Sequence, residues 1–198
     1  MPRPLIPDRR ERILDAAEAR ILEKGFDAMS IQAVADDAGI AKGAVYREFA
    51  SKREIVDTLL TRAMERMTRA SAERLGGEEH PPLSTAYAVG VQVLLDDPLM
   101  TAAFLDDHAV LGSYVESVRD GRYRLRHEAV VEWIVALQGR GALSREVDAE
   151  SLALALSSTT LGLLTAAKHL GPLTRDDLRA AIDAVAVLVS SLESSPEA

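Results

Sequence analysis

Glycines and prolines divide this sequence into segments whose apolar residues recur every three to four positions. Ile13, Leu14, Ala17 and Ile21, for example, share one face of a helix before Gly25. Alanine, leucine, arginine and glutamate are frequent, and aromatic residues make up only 4% of the chain, which disfavours strands. The pattern therefore predicts an all-α fold with nine helices and no strand.

Caps and breaks give the expected helix bounds. Three predicted helices, the first, second and fourth, are preceded by short polar residues that are expected to cap them, namely Asp8, Ser30 and Ser51. The first four helices are expected to end near residues 24, 38, 49 and 75. Past a linker-like stretch at 76–82, helices are predicted at 83–95, 98–111, 113–138, 148–170 and 175–193.

Charge and cysteine content narrow the possible classes. The chain has no cysteine, which excludes a disulfide scaffold and thiolate metal sites. Ten basic and ten acidic residues balance within residues 1–55, so the formal charge of −8 lies in residues 56–198. A neutral beginning on an acidic remainder indicates two units with different partners. The expected domains are residues 1–50 and 51–198, linked by the helix at 51–75.

No segment of the sequence is predicted to enter a membrane. The first residues lack the apolar run of a signal peptide. The longest charge-free stretch, Ser151 to Ala167, has four consecutive hydroxyl residues at its centre and is at the short limit for a bilayer span. It is predicted to be a buried helix, and the protein is expected in the cytoplasm.

The segment from Ser30 to Phe49 carries the strongest functional signal. Two short helices around a turn at Gly39 form a helix-turn-helix. In its second helix Val45 and Phe49 are predicted to face inward. The other side then presents residues suited to phosphates and base edges in the major groove, namely Lys42, Gly43, Tyr46 and Arg47. An ordinary packed pair of helices would give the same pattern, so both interpretations stay open on this ground alone.

The amino-terminal quarter resembles the TetR family of one-component transcriptional regulators. The resemblance lies in "RILDAA…EKGF" within residues 12–26, "SIQAVADDAGIAKGAVYREF" at 30–49 and "SKREIV" at 51–56. It implies an amino-terminal three-helix DNA-binding domain and a carboxy-terminal helical domain for ligand binding and dimerisation. The remainder of the chain agrees with the family only in length and helical character.

The resemblance also implies which residues contact DNA. Ser30 matches a residue that caps the second helix and contacts phosphate, and Gln32 matches a position that reads a base edge, with chemistry suited to adenine. The remaining matches cover the start of the recognition helix, its exposed positions and a phosphate contact on the fourth helix: Lys42, Gly43, Ala44, Tyr46, Arg47 and Lys52.

Two residues depart from the family pattern. Ala41 stands where a serine or threonine is usual, so the recognition helix lacks a side-chain cap, a loss of about 1 kcal/mol. Glu48 stands where a neutral or basic residue is common. It is expected either to pair with Lys52 or Arg53 or to face phosphate and weaken binding, and the sequence leaves both open.

The chain begins with an arm that combines four arginines and three prolines. These residues are Arg3, Arg9, Arg10 and Arg12 with Pro2, Pro4 and Pro7. A basic flexible arm can enter a DNA minor groove. A solvated tail has the same composition, and the sequence does not separate these interpretations.

The last two predicted helices are candidates for subunit association. The stretch Leu152–Leu170 is apolar nearly all round, and the final helix carries an apolar stripe made of Leu178, Ile182, Val185, Leu188, Val189 and Leu192. The resemblance implies that two such helices pair with their symmetry mates, and a dimer would read two half-sites. The alternative is that both helices belong to the core of one chain.

Scarce aromatic and imidazole residues lie between these elements. They are candidate ligand-binding residues, although a structural role is the alternative for each: Tyr87, Phe104, His108, Tyr114, Tyr123, His127 and Trp133. The acid–imidazole group at 106–108 is better explained as surface charge than as a catalytic site. The sequence lacks the common metal-protease, phosphate-loop and serine-hydrolase motifs, so no enzyme, cofactor or metal is expected.

The combined features predict a homodimeric repressor. It would bind a palindromic double-stranded DNA operator and be released from it by a small-molecule effector, with no membrane partner. The competing hypothesis is an interaction protein that kept this fold and lost specific operator binding, and Ala41 and Glu48 are the reasons to consider it.

Overall fold

Eleven α-helices form in the part of the chain that the computed structural model describes, residues 8–78, 80–105, 107–117 and 122–194. They are α1 (Arg9–Lys24), α2 (Ile31–Asp37), α3 (Lys42–Glu48), α4 (Lys52–Arg74), α5 (Leu83–Asp96), α6 (Pro98–Phe104), α7 (His108–Leu111), α8 (Ser113–Ser117), α9 (Arg122–Gly139), α10 (Ala149–Leu170) and α11 (Arg175–Ser190). Within these ranges no strand forms, and one isolated β-bridge joins Leu143 to Glu193. The all-α prediction is confirmed, whereas the predicted number of nine helices is wrong.

The extra helices arise where the structure divides two predicted ones. The predicted helix at 98–111 is α6 followed by α7, because the Asp107 carboxylate accepts a hydrogen bond from the Ala109 N–H at 2.8 Å and starts a new helix. The predicted helix at 113–138 is α8 followed by α9, and residues 118–121 between them lie outside the described residues.

The predicted caps are present at two of three helices. The Ser30 and Ser51 hydroxyls each accept a hydrogen bond at 3.1 Å, from the N–H groups of Ala33 and Glu54 respectively. Asp8 does precede α1, but its backbone is left-handed (φ 57°) and its side chain makes no capping hydrogen bond. The prediction that Asp8 caps α1 through its side chain is therefore wrong.

The helices cluster into two compact units. The first unit comprises Met1–Arg66 and Asp97–Val118, and the second comprises Met67–Asp96 and Arg119–Ala198. Helix α4 begins in the first unit and ends in the second. Each unit consists of two separate segments of the chain. The predicted functional domains, residues 1–50 and 51–198, stay a prediction.

The core of the first unit is built on α1. The four apolar residues that the periodicity placed on its inner face are all buried: Ile13, Leu14, Ala17 and Ile21. Residues of α2, α3 and the first half of α4 are buried as well, including Val34, Val45, Ile55 and Leu59. This core fixes the orientation of the short helices α2 and α3, which are too short to be stable alone.

The core of the second unit is formed by α5, α9, α10 and α11. Its buried residues include Leu83, Val91, Ile134, Leu137, Leu152, Leu156, Ile182 and Val189. The chain returns to α5 after α11, where the Glu193 carboxylate accepts hydrogen bonds from the Ser84 N–H at 2.7 Å and its hydroxyl at 2.9 Å. This contact caps α5 and closes the unit.

Helices α10 and α11 keep much of their apolar surface outside this core. Only 22% of Ala149–Ala166 is buried within the chain, so the prediction of a buried helix holds for one face of α10. Leu154 is 60% exposed, and Leu188, part of the predicted apolar stripe of the final helix, is 71% exposed. The same stretch of α10 is long and apolar enough to cross a bilayer, but one such helix is weak evidence because packed helices have the same composition.

Candidate nucleic-acid interface

Helices α2 and α3 pack through a shared apolar edge. Val34 and Ala35 of α2 are buried with Val45 of α3, and Phe49 is buried at the end of α3. Gly39 makes the turn between the helices with a φ of 66°, a conformation that glycine adopts at little cost. The predicted inward orientation of Val45 and Phe49 is confirmed.

The opposite side of α3 is open to solvent. Lys42, Gly43 and Arg47 are exposed, and Tyr46 is 51% exposed. We call these four residues the reading face. A cationic side chain at each end and a phenol between them can contact phosphates and base edges, and Gly43 allows close approach of the backbone.

Ala44 does not belong to the reading face. It was predicted to be exposed, but only 6% of it is accessible. Ala44 and Val45 lie on the side of α3 that packs in the core, one turn before Glu48 and Phe49, and this helical geometry turns Ala44 away from solvent.

The beginning of α2 presents two of the predicted contact residues. Ser30 is exposed while its hydroxyl caps the helix. Gln32 is also exposed, and its Nε2 donates a hydrogen bond to Asp36 Oδ1 at 2.8 Å. The Gln32 side chain is therefore held by a carboxylate one helical turn away.

Helix α3 begins without a side-chain cap, as predicted from Ala41. Ala41 is the N-cap residue, with extended backbone, and makes no side-chain hydrogen bond to the helix. The start of α3 thus lacks the interaction that Ser30 supplies to α2.

Glu48 pairs with α1. Its Oε1 lies 3.4 Å from Arg9 Nη1, and its backbone carbonyl accepts a hydrogen bond from Arg10 Nη1 at 2.9 Å. The Arg10 guanidinium also lies over the Phe49 ring, 4.2 Å from its centroid. The predicted pairing of Glu48 with Lys52 or Arg53 is wrong, because arginines at the start of α1 occupy its side chain and its carbonyl.

The predicted basic arm is therefore shorter than the sequence indicated. Arg9, Arg10 and Arg12 all lie in α1, so they are not part of a flexible arm. The remaining residues of the arm, Arg3 with Pro2, Pro4 and Pro7, lie outside the described residues.

The Lys52 side chain points back into the first unit. Its Nζ lies 4.0 Å from the centroid of the Phe26 ring and donates a hydrogen bond to the Asp27 carbonyl at 3.2 Å. Burial lowers the pKa of Lys52, and the nearby Asp27 charge partly offsets that shift. The predicted contact of Lys52 with phosphate stays a prediction. It requires the Lys52 ammonium either to leave the Phe26 ring or to bind phosphate while it remains beside that ring.

The loop after α1 docks closely on α7. The Phe26 N–H donates to the Val110 carbonyl at 2.7 Å. Gly25 has a φ of 80°, and a Cβ built there would lie 2.6 Å from the Ala109 carbonyl oxygen. Only glycine fits between the two backbones.

A second contact lies beside it. Asp27 accepts hydrogen bonds from the Ser113 N–H at 3.0 Å and from its hydroxyl at 2.5 Å. Both hydrogen bonds from Ser113 lower the pKa of Asp27, and the bond from its hydroxyl has the larger effect. Gly112 has positive φ, and a Cβ there would overlap the Asp27 carboxylate. Sequence reasoning missed this pairing because Asp27 and Ser113 are 86 residues apart.

A charge cluster joins α1 to α4. Arg62 donates hydrogen bonds to Glu11 (3.0 Å), Asp15 (2.7 Å) and Glu18 (2.5 Å), which lie along one side of α1. We call these four residues the Arg62 cluster. Arg66, one turn later, donates to Glu18 at 2.7 Å. The (i, i+4) and (i, i+3) spacing of the three acids is visible in the sequence and could have indicated a shared cationic partner.

The candidate ligand residues are divided between the two units. Phe104 and Tyr114 are buried in the first unit, where His108 is exposed and the Tyr114 hydroxyl donates to Asp57 Oδ1 at 2.6 Å. Those of the second unit whose side chains are described are Tyr87, His127 and Trp133. The side chain of Tyr123 lies outside the described part.

The Tyr87 hydroxyl is a polar group within the apolar core of the second unit. It accepts a hydrogen bond from the Thr160 hydroxyl at 3.3 Å, and burial raises its pKa. Trp133 packs against the same core while remaining partly exposed. Whether these residues bind a ligand stays a prediction.

The family model for bacterial regulatory proteins of the tetR family matches residues 13–59, from α1 into α4 and including the reading face. Residues 13–59 of this chain therefore match the TetR family. Among curated relatives, the transcriptional repressor KstR of Rhodococcus jostii is 32% identical over 96 residues, 48% of this chain and 45% of KstR. The repressor KstR2 of Mycobacterium tuberculosis is 44% identical over 55 residues, 28% of each chain. The match spans less than half the length of either relative.

The solved structure of the ketosteroid transcriptional regulator KstR2 of Mycobacterium tuberculosis shares the fold. It superposes with a TM-score of 0.61 and 21% identity, covering 96% of this chain and 98% of that structure. At that identity the likeness shows the fold alone. The curated relatives KstR and KstR2 are transcriptional repressors.

Proposed function

We propose that this TetR-family chain is a transcriptional repressor that binds DNA through the reading face of α3. The observation that carries the proposal is the division of α3 into two sides. Val45 and Phe49 anchor one side in the core, which leaves Lys42, Tyr46 and Arg47 exposed together on the other. A basic face on a rigidly held helix suits the DNA major groove.

The repressor would act as a homodimer on a palindromic operator. The exposed apolar residues of α10 and α11 support this, among them Leu154, Leu161, Leu170, Val187 and Leu188. A second copy of the chain would cover this surface. Two-fold symmetry would then present two reading faces to two half-sites of the operator.

A small-molecule effector would release the operator. It would bind in the carboxy-terminal domain and favour a state of the dimer in which the spacing of the two reading faces no longer fits DNA. This requires different effector affinities in the two states, and a coupling of about 1–3 kcal/mol is typical. Such a regulator would work in the cytoplasm, with no membrane partner.

DNA binding tests the proposal. Gel-shift titrations with DNA from upstream of the protein's own gene should give a complex that depends on a palindrome. Lys42→Ala and Arg47→Ala should each weaken the complex about tenfold. Each should also reduce the slope of log affinity against log salt concentration by about one. Arg124→Ala, at an exposed position of α9 in the second unit, removes the same charge without altering the reading face and should leave both quantities unchanged.

The competing function is a TetR-like interaction protein without operator binding, and the uncapped start of α3 at Ala41 favours it. The absence of any sequence-specific complex from an intact dimer would support that function. Unchanged affinity in both α3 variants would instead move the DNA contact to another surface.

A further inference from the structure

Asp36 fixes the orientation of the Gln32 side-chain amide. The two residues lie one turn apart on α2, both exposed, with Gln32 Nε2 2.8 Å from Asp36 Oδ1. A carboxylate can only accept hydrogen bonds, so the nitrogen end of the amide must face it. Turning the amide over would place Gln32 Oε1 against a negatively charged oxygen.

A fixed amide presents a defined pattern to an outside partner. One N–H of Gln32 is used by Asp36, which leaves the carbonyl oxygen as an acceptor and the second N–H as a donor. In the major groove, adenine offers the complementary pair, an N6 amino donor beside the N7 acceptor. Guanine offers two acceptors, O6 and N7, and thymine offers the O4 acceptor, so neither base can donate to Gln32 Oε1.

We propose that Asp36 is a specificity-determining residue that acts through Gln32. It holds the amide in the orientation that forms two hydrogen bonds with an adenine edge, whereas guanine or thymine could accept only the remaining N–H and would leave Gln32 Oε1 without a donor. This inference rests on the proposed function, in which α2 and α3 lie against DNA. Asp36 is a positioning residue in this arrangement and need not touch a base.

Asp37 supplies a matched control. It is the next residue and carries the same charge, but its carboxylate is held by Arg20 of α1 through Nε at 2.5 Å and Nη2 at 2.8 Å. Asp37→Asn therefore removes one negative charge from the same end of α2 without touching the Gln32 amide.

The experiment is selection of preferred sequences from a random duplex library by the full-length wild type and by Asp36→Asn, Asp37→Asn and Gln32→Ala. The wild type should enrich a palindrome with adenine at one symmetric pair of positions. An asparagine amide can donate or accept, so Asp36→Asn should admit guanine or thymine there, lowering discrimination about tenfold. Both Asp variants should bind all duplexes more tightly, because each loses a charge that repels phosphates.

A second measurement does not depend on any variant folding. Replacing that adenine by purine removes the N6 amino group, and wild-type affinity should fall about tenfold. Circular dichroism would establish that the variants are folded.

The outcomes separate the two proposals. If the wild type enriches no sequence, the proposed function fails and this inference with it. If the wild type enriches a palindrome but Asp36→Asn or Gln32→Ala enriches the identical one, only the role of Asp36 is overturned. Equal relaxation by Asp37→Asn would also overturn it, since charge alone would then explain the effect.

Discussion

The two compact units differ in the contacts that stabilise each of them internally. In the first unit, individual polar groups and glycines fix particular positions: Arg62 joins three acids of α1, and Gly25 fits between two backbones. In the second unit, broad apolar faces of α5, α9, α10 and α11 form the core, and α10 and α11 leave leucines exposed. Directional contacts restrict which residue can stand at a position, whereas apolar packing accepts many residues of similar volume.

This difference agrees with the place where the family model matches the chain. The matched residues 13–59 lie entirely within the first unit. The second unit needs apolar residues at helical spacing, which many unrelated sequences supply. The comparison predicts that equivalent substitutions have larger and more specific effects in the first unit.

The largest expected contrast is between two glycine substitutions. Gly25→Ala should destabilise the protein by about 3 kcal/mol or more, because the alanine would adopt a strained φ and meet the Ala109 carbonyl. Gly90→Ala, within α5 of the second unit with open space around it, should stabilise by about 0.5–1 kcal/mol. Urea unfolding followed by circular dichroism measures both, and equal effects would break the comparison.

The next contrast concerns exposed leucines. Leu188→Arg, on α11, should weaken the proposed dimer by about a hundredfold, because a charge would be buried where the two chains pair. Leu22→Arg, at an exposed position of α1 in the first unit, should leave the dimer intact. Light scattering coupled to gel filtration distinguishes these results. A wild-type monomer would refute the dimer outright.

A smaller contrast in unfolding free energy is expected between two charge clusters. One is an arginine with three acidic residues in the first unit, and the other is an aspartate with three arginines in the second. Arg62→Met leaves three acids without their shared cation and should cost about 1–2 kcal/mol, since the arginine is mostly buried. Asp96→Asn in the second unit removes one acid from three arginines, Arg74 at 2.8 Å and Arg175 and Arg179 at 3.7 Å. These arginines are more exposed, so that loss should stay below about 0.5 kcal/mol.

The smallest effect is on acid stability. The pKa of Asp27 is lowered by the Ser113 hydroxyl and N–H, and that of Asp177, in the second unit, by the Thr174 hydroxyl and N–H. A carboxyl group whose pKa is lowered in the fold stabilises the folded state at pH values above its ordinary pKa of 3.8. That contribution is lost as the pH falls through the lowered pKa of the folded state. Asp27→Asn and Asp177→Asn should therefore each flatten the decline of Tm below pH 4 or so.

Trp133 allows the two acid effects to be separated. It is the single tryptophan of the sequence and lies in the second unit, so its fluorescence reports unfolding there. Asp177→Asn should change the fluorescence-detected profile more than Asp27→Asn does. The reverse order would contradict the assignment of these contacts to separate units.

The helix-turn-helix could be predicted because its signals are local. The Ser30 cap, the turn at Gly39 and the inward Val45 and Phe49 all follow from residues within one short segment. The DNA-contacting role of the reading face follows from the same segment and stays a proposal.

The remaining features depend on residues far apart in the sequence. Glu48 pairs with Arg9 at the start of α1, and Asp27 with Ser113, and no local pattern connects either pair. The burial of Ala44 was missed for a different reason. Its small side chain is compatible with either side of a helix, so only the packing around α3 decides it.

The buried Ala44 limits how this protein can diversify. Any larger residue there would push α3 outward, so gene duplicates that acquire new operators must do so through changes at exposed neighbours such as Tyr46 and Arg47. An engineer retargeting the protein has the same restriction, and a library that randomises position 44 would contain mostly destabilised variants.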